Sequence, residues 1–147
     1  MNDYNKIAYC GLYCGACKIY LCTINNKLKK LSEETKIPDE LLYCEGCRSD
    51  NTSLYCRNCA MKKCCIKKGI FSCNECKEFP CSVLNAFESD KHSHHKGVIR
   101  SLLELNEIGK HKWIEYQKDR WSCNYCNEPY SWYENRCKKC GNSIDGL

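Results

Sequence analysis

The chain has 147 residues, enough for one ordinary domain or a small domain with an appendage, and too few for a large barrel or a doubly wound sheet. Seventeen cysteines exceed the roughly 8–10% that marks cysteine-built scaffolds, while Phe 3, Met 2 and Trp 3 leave a thin apolar core, so cross-links must replace part of it. The formal net charge of +5 counts thiols as neutral, yet a divalent cation held by four thiolates carries a net −2, so four such centres would bring the balance to about −3 and the basic composition is poor grounds for a nucleic-acid partner.

The chain opens on Met1-Asn2-Asp3-Tyr4-Asn5-Lys6-Ile7, with an acid and no apolar run, so neither a secretory signal nor a membrane span is expected there and the protein is placed in the cytoplasm. Reducing conditions disfavour structural disulfides, and an odd cysteine count prevents complete pairing within one chain. Metal thiolates are therefore expected. Cysteine placement gives three stretches: residues 1–88, a cysteine-rich multi-metal domain; 89–121, a cysteine-free helical spacer packed on it; and 122–147, a second metal-binding unit.

In the first stretch one spacing recurs, in Cys14-x2-Cys17-x4-Cys22, Cys56-x2-Cys59-x4-Cys64 and Cys73-x2-Cys76-x4-Cys81, with Cys44-x2-Cys47 as a fourth pair. With Cys10 these make twelve candidate ligands, enough for three four-cysteine sites, and Cys65 is left over. Cys65 could equally replace Cys64, and the spacing leaves the pairing of ligands into sites open. Between the clusters, Lys18 to Lys36 places Tyr20, Leu21, Ile24, Leu28 and Leu31 at helical intervals, which predicts one helix with an apolar stripe. Pro38 closes it and, with Asp39 and Glu40, starts a short helix with Pro at N1. The lysines Lys27, Lys29, Lys30, Lys67 and Lys68 read as solvated faces that also balance thiolate charge.

After Cys81, Ser82 is expected to cap a short helix carrying Val83, Leu84 and Phe87. Ser89 to Gly97 is a polar loop. A helix follows with Val98, Ile99, Leu102, Leu103 and Leu105, stopped by Gly109, and Lys110 to Trp121 forms another that presents Trp113, Ile114 and Tyr116 to the core. The tail reads Cys123-x2-Cys126-x10-Cys137-x2-Cys140. Two tight turns each bring two sulfurs together, and ten intervening residues suffice for a short strand pair that sets them face to face around one Zn2+, as in a zinc ribbon. Gly141 tolerates the positive φ such a turn needs. Tyr125, Tyr130, Trp132 and Tyr133 are either the ribbon's small core or a stacking surface for bases.

The spacing Cys10-x3-Cys14-x2-Cys17 matches the cluster-binding run of radical S-adenosylmethionine enzymes, but Ala16 stands where an aromatic is usual and there is no room for the enclosing barrel. A closed Fe-S cluster in the N-terminal part remains an alternative to zinc, since clusters also take four thiolates. His92, His94 and His95 crowd one polar stretch, readable as a labile metal site, an acid-base group or a solvated loop, the last favoured because no carboxylate pattern accompanies them. Cys65, flanked by Lys62, Lys63, Lys67 and Lys68, is the one candidate nucleophile and lacks a base partner. No phosphate loop, His-Glu-x-x-His or Gly-x-Ser-x-Gly is present, so nothing in the sequence argues for an enzyme.

Cys10-Gly11-Leu12-Tyr13-Cys14-Gly15-Ala16-Cys17, then Cys44-Glu45-Gly46-Cys47-Arg48-Ser49, then Cys73-x2-Cys76-x2-Phe79-Pro80-Cys81-x2-Leu84, resemble the prokaryotic domain of unknown function numbered 3795 over roughly residues 7–88. The resemblance implies a cytoplasmic, cysteine-coordinated protein of a bacterium or archaeon and transfers no reaction. The expectation is a small metal-stabilised domain of zinc knuckles, short helices and irregular chain, followed by a zinc ribbon, with about four Zn2+ sites. Its role would be that of an adaptor or regulatory module whose partner is a protein or a nucleic acid and not a membrane.

Overall fold

Helices in this chain are short because Asn, Gly and Cys turns interrupt them. The computed structural model describes residues 2–147 and builds, among them, α-helices and 3₁₀ turns with no strand beyond three isolated bridges. Met1, in the segment expected to carry no signal peptide, lies outside the described residues. A 3₁₀ turn at Asp3–Lys6 is capped by the Asn2 side chain, which accepts the Tyr4 N–H at 3.0 Å. The Ile7–Tyr13 bridge then closes the loop that carries Cys10.

The single helix expected over Lys18–Lys36 is two, α1 (Lys18–Ile24) and α2 (Leu28–Thr35). Asn26 adopts φ +54° and the Lys27 N–H turns back to the Cys22 carbonyl at 2.8 Å. Asparagine tolerates the left-handed region that other side chains avoid, so the break falls there although the apolar spacing runs through it. A short α3 (Asp39–Leu42) follows, with Pro38 as its cap residue rather than its first helical one. The apolar pattern did not predict α4 (Leu54–Arg57) or α5 (Ala60–Lys68), whose buried side chains are only Met61 and Cys65, four apart.

In α6 (Ser82–Glu88), Ser82 is the first helical residue and Cys81 the cap, without the expected side-chain bond. The Asn85 side chain donates to the Cys81 carbonyl at 3.0 Å, which already accepts the Asn85 backbone N–H, so the orphan N–H groups of the first turn gain no side-chain acceptor from it. The helices α7 (Val98–Ile108) and α8 (Lys110–Arg120) form as expected, with Gly109 between them at φ +81°. Tyr116 stays exposed, because Trp113, Ile114 and Gln117 share the inward face one turn apart; the Gln117 side chain accepts the Trp121 indole N–H at 3.2 Å. Among the described residues no helix is long and apolar enough to cross a membrane.

One core runs from Ile7 to Tyr130, drawing on all three stretches of the chain. Burying Leu102 in it is worth about 1.5–3 kcal/mol. The cysteine loop of residues 8–13 comes so close to α7 that a Cβ on Gly11, which has φ +91°, would lie 2.7 Å from the Leu102 side chain and 2.9 Å from the Val98 carbonyl. Only glycine meets both demands. Arg48 substitutes for missing apolar mass: it donates to the Ile7 carbonyl at 2.7 Å and the Phe71 carbonyl at 2.6 Å, and its guanidinium lies over the Tyr9 and Phe71 rings at 4.1 and 3.6 Å. The tail is tied on by the Trp132 N–H, which donates to the Ala16 carbonyl at 3.2 Å, and by the edge-on pair Trp121–Tyr130.

Candidate metal centre

Two near-identical turns build the tail site. In the first, the Cys123 N–H reaches the Glu128 carbonyl at 2.9 Å and the Asn127 N–H returns to the Cys123 carbonyl at 2.8 Å. In the second, Cys137 pairs with Asn142 at 2.8 Å and Gly141 with Cys137 at 2.9 Å. Asn127 and Gly141 hold equivalent places at φ +59° and +76°. The strand pair expected between the turns does not form; each turn instead closes on its own bridge, Ser122–Pro129 and Arg136–Ser143. The intervening chain has other uses for its polar groups: Ser131 and Glu134 make a capped turn, and Trp132 bonds to the head.

The four sulfurs of Cys123, Cys126, Cys137 and Cys140 all lie within 4.8 Å of one another. The Cys123–Cys140 and Cys126–Cys137 pairs are 3.6 and 3.5 Å apart. A disulfide would bring two sulfurs to about 2.05 Å, whereas four thiolates around Zn2+ at about 2.3 Å form a tetrahedron with edges of about 3.8 Å. The donor set fits a tetrahedral divalent cation. Backbone amides serve the sulfurs as well. The Asn142 N–H, helped by its side-chain amide at 3.2 Å, draws the Cys140 thiol down to about 6, and the Cys140 amide is the main cause that lowers Cys137. At Cys126 the Glu128 amide also favours the thiolate, but desolvation and the hydrogen bonds to Cys137, Cys140 and Cys123 outweigh it and push the thiol up to about 12. Four crowded thiols cannot all ionise alone; a cation at their centre removes the conflict.

Among the described residues no three sulfurs of the head converge within 4.8 Å. Burial raises Cys14 well above its ordinary value, and Cys47, Cys17 and Cys44 raise it further while the Cys47 amide opposes them. Cys10 is likewise raised by burial and then by Cys47, Cys59 and Cys56, and Cys56 is pushed up to about 12 by burial and then by Cys47. Cys17 accepts the Tyr20 and Ile19 amides at the start of α1 and is still raised by burial. The Cys65 and Cys73 sulfurs lie 3.7 Å apart, and Cys10 and Cys81 also act on Cys73. Cys65, the thiol left over in the count of twelve, is 1% exposed, and its neighbour Cys64 faces solvent. The Cys73 hydrogen bond lowers Cys65 against its burial, with Arg48 and Lys68 assisting, so one of the four flanking lysines acts as the sequence suggested. Lys68 also donates to Cys76 at 3.1 Å. Cys22 stands on α1 beside the charges of Lys18 and Lys138 and is raised by burial.

The polar loop is not merely solvated. Asp90, His92 and His95 place donor atoms within 4.8 Å of one another, so the Asp90 carboxylate, two residues before His92 in the same loop, does accompany the histidines. His94 turns the other way: it stacks on Trp132 at 4.4 Å and 8° and its Nδ1 pairs with the Tyr133 hydroxyl at 2.6 Å. Burial there, with His95 and His92 adding to it, holds the imidazole down to about 4. Of the tail aromatics, Tyr130 is in the core and Trp132 packs against it, while Tyr125 and Tyr133 are 71% and 56% exposed.

No curated protein and no solved structure matches the chain. The sequence profile described as "Protein of unknown function (DUF3795)" matches residues 6–86, which is more than half of the chain and includes every cysteine of the head. The protein therefore belongs to the DUF3795 family, and its four-cysteine cluster lies C-terminal to the matched residues.

Proposed function

We propose that the chain is a zinc-stabilised binding module, in which the tail thiolates hold one Zn2+ as a ribbon-like structural site and the head thiolates hold about three more. The observation that carries this is the convergence of four tail sulfurs at near-tetrahedral spacing with amide N–H groups directed at them. Paired Cys-x2-Cys turns suit zinc better than a cluster-binding run. In the head, Cys65 rather than Cys64 supplies the thiol that joins Cys73, because it is the buried one and already touches that sulfur.

The module presents the exposed Tyr125 and Tyr133 of the tail to a protein partner. Charge favours a protein over a nucleic acid: Lys138 pairs with Glu134, Lys139 with Glu128 at 3.7 Å, and Arg136 donates to the Gly141 carbonyl at 2.8 Å, so the tail cations are engaged locally. Elemental analysis of anaerobically purified protein, with a visible spectrum, tests the proposal. The expected protein is colourless and contains zinc; Cys137→Ser loses one equivalent, Cys65→Ser also loses metal, and Cys64→Ser keeps the full complement. Brown protein containing iron would establish the Fe-S alternative, and steeply salt-dependent binding to single-stranded RNA would establish the nucleic-acid one.

A further inference from the structure

We infer that Asp90, His92 and His95 form a second kind of metal site, an open two-imidazole, one-carboxylate site for a divalent cation of the zinc class, distinct from the thiolate centres. The Asp90 carboxylate faces both rings: Oδ1 is 3.3 Å from His92 Nδ1, and Oδ2 is 2.7 Å from His95 Nδ1. Donor atoms bound to one tetrahedral cation at about 2.0–2.2 Å stand about 3.3–3.6 Å apart, so the Asp90–His92 pair is already at that spacing and the Asp90–His95 pair would open by less than about 1 Å to admit the ion. Nitrogen and carboxylate donors with coordination positions left open suit Zn2+ or another borderline divalent metal rather than a soft one.

Local sequence makes this arrangement. The 3₁₀ turn Ser93–His95 has His92 as its cap, and residues three apart in such a turn eclipse, so His92 and His95 project from the same side. Asp90 is held because its Oδ1 also accepts the His92 N–H at 2.8 Å. His95, with only 13% of its side chain exposed, is fixed by stacking on Phe87 at 3.8 Å and 22°. The loop is anchored behind it, where the Ile99 N–H reaches the Glu88 carboxylate at 2.8 Å. His94 is removed from the donor set by its stack on Trp132, so the three histidines of this loop have divided roles: two ligands and one strut onto the tail. Ligands confined to six residues close a small loop, which keeps the ordering cost of binding low.

The site is independent of the thiolate centres, and the test keeps the two proposals apart by using full-length protein whose cysteine sites have first been saturated with zinc. Zn2+ is then titrated by calorimetry while the histidine side-chain nitrogens are followed by NMR. One further equivalent is expected, with shifts at His92 and His95 and none of comparable size at His94. His92→Ala abolishes it, and so does His95→Phe, which preserves the stack on Phe87. Asp90→Asn weakens it at least about tenfold, and His94→Ala retains it. Absence of the further equivalent in protein that is zinc-saturated at cysteine, or its persistence in the His92→Ala/His95→Phe double variant, would overturn the site and leave the thiolate proposal standing. Loss in His94→Ala as complete as in His92→Ala would overturn the division of roles.

Discussion

Arg48 shows how a single residue can hold a thin-cored chain together. Its fork joins the carbonyls of Ile7 and Phe71, which lie 64 residues apart in sequence, and its planar face covers two rings. Removing it leaves two part-buried carbonyls without a donor, so Arg48→Ala should cost about 2–3 kcal/mol, and Arg48→Lys should recover little because an ammonium cannot bridge both acceptors. Denaturant midpoints at one fixed free zinc concentration check this; equal stability of wild type and Arg48→Ala would mean that the fork is incidental. Nothing in the sequence marked Arg48 apart from its place after Cys47, since a lone arginine beside a cysteine carries no periodic signal. Cys65 posed a similar difficulty. Adjacent thiols at positions 64 and 65 are equivalent on paper, and the rotation of α5 decides which one is buried.

Between elements, the first 3₁₀ turn is pinned to α8 through Asp3, whose carboxylate pairs with Lys6 at 2.8 Å and Lys118 at 3.1 Å. The hydrogen bonds from Lys6 and Lys118 hold Asp3 down to about 2. A depressed carboxyl pKa contributes stability that is fully present above the unfolded value of about 3.9 and is lost only as pH falls through about 2. Asp3→Asn should therefore lower the stability of zinc-loaded protein by the same amount at pH 7 and pH 5. That amount should stay below about 1 kcal/mol, because Asp3 and Lys118 are solvent-exposed and Lys6 is only partly buried. A deficit that shrank markedly between those two pH values would show that Asp3 titrates higher than its contacts require. Helix existence was legible for α7, where leucines and a terminal glycine agree, and for α8, which starts after that glycine and carries Trp113 and Ile114; boundaries were not legible where an asparagine could take a left-handed turn inside a continuous apolar stripe. The α5 helix escaped notice because cysteine and methionine fill its inward face, and cysteine had already been read as ligand.

For the molecule as a whole, the tail is docked on the head rather than strung from it. Trp132 ties it on, through its amide to Ala16 of the head and its ring against His94 of the spacer. Trp132→Ala should cost about 1–3 kcal/mol and should speed amide exchange at Cys137 and Gly141 more than at Leu102. Uniform acceleration across both regions would instead make the core a single cooperative unit. The sequence by itself determined the cysteine-built character of the chain, the tail quartet and the family, because each depends on residue type and on spacings of two to ten residues that local turns enforce. Only the tertiary structure decided which of two adjacent thiols is buried, that Asp90 joins His92 and His95 while His94 turns to Trp132, and that each tail turn closes on its own bridge while Trp132 bonds to the head, in place of a strand pair. Those outcomes depend on where side chains far apart in sequence run out of room or find a partner, and periodicity along a chain carries no information about that.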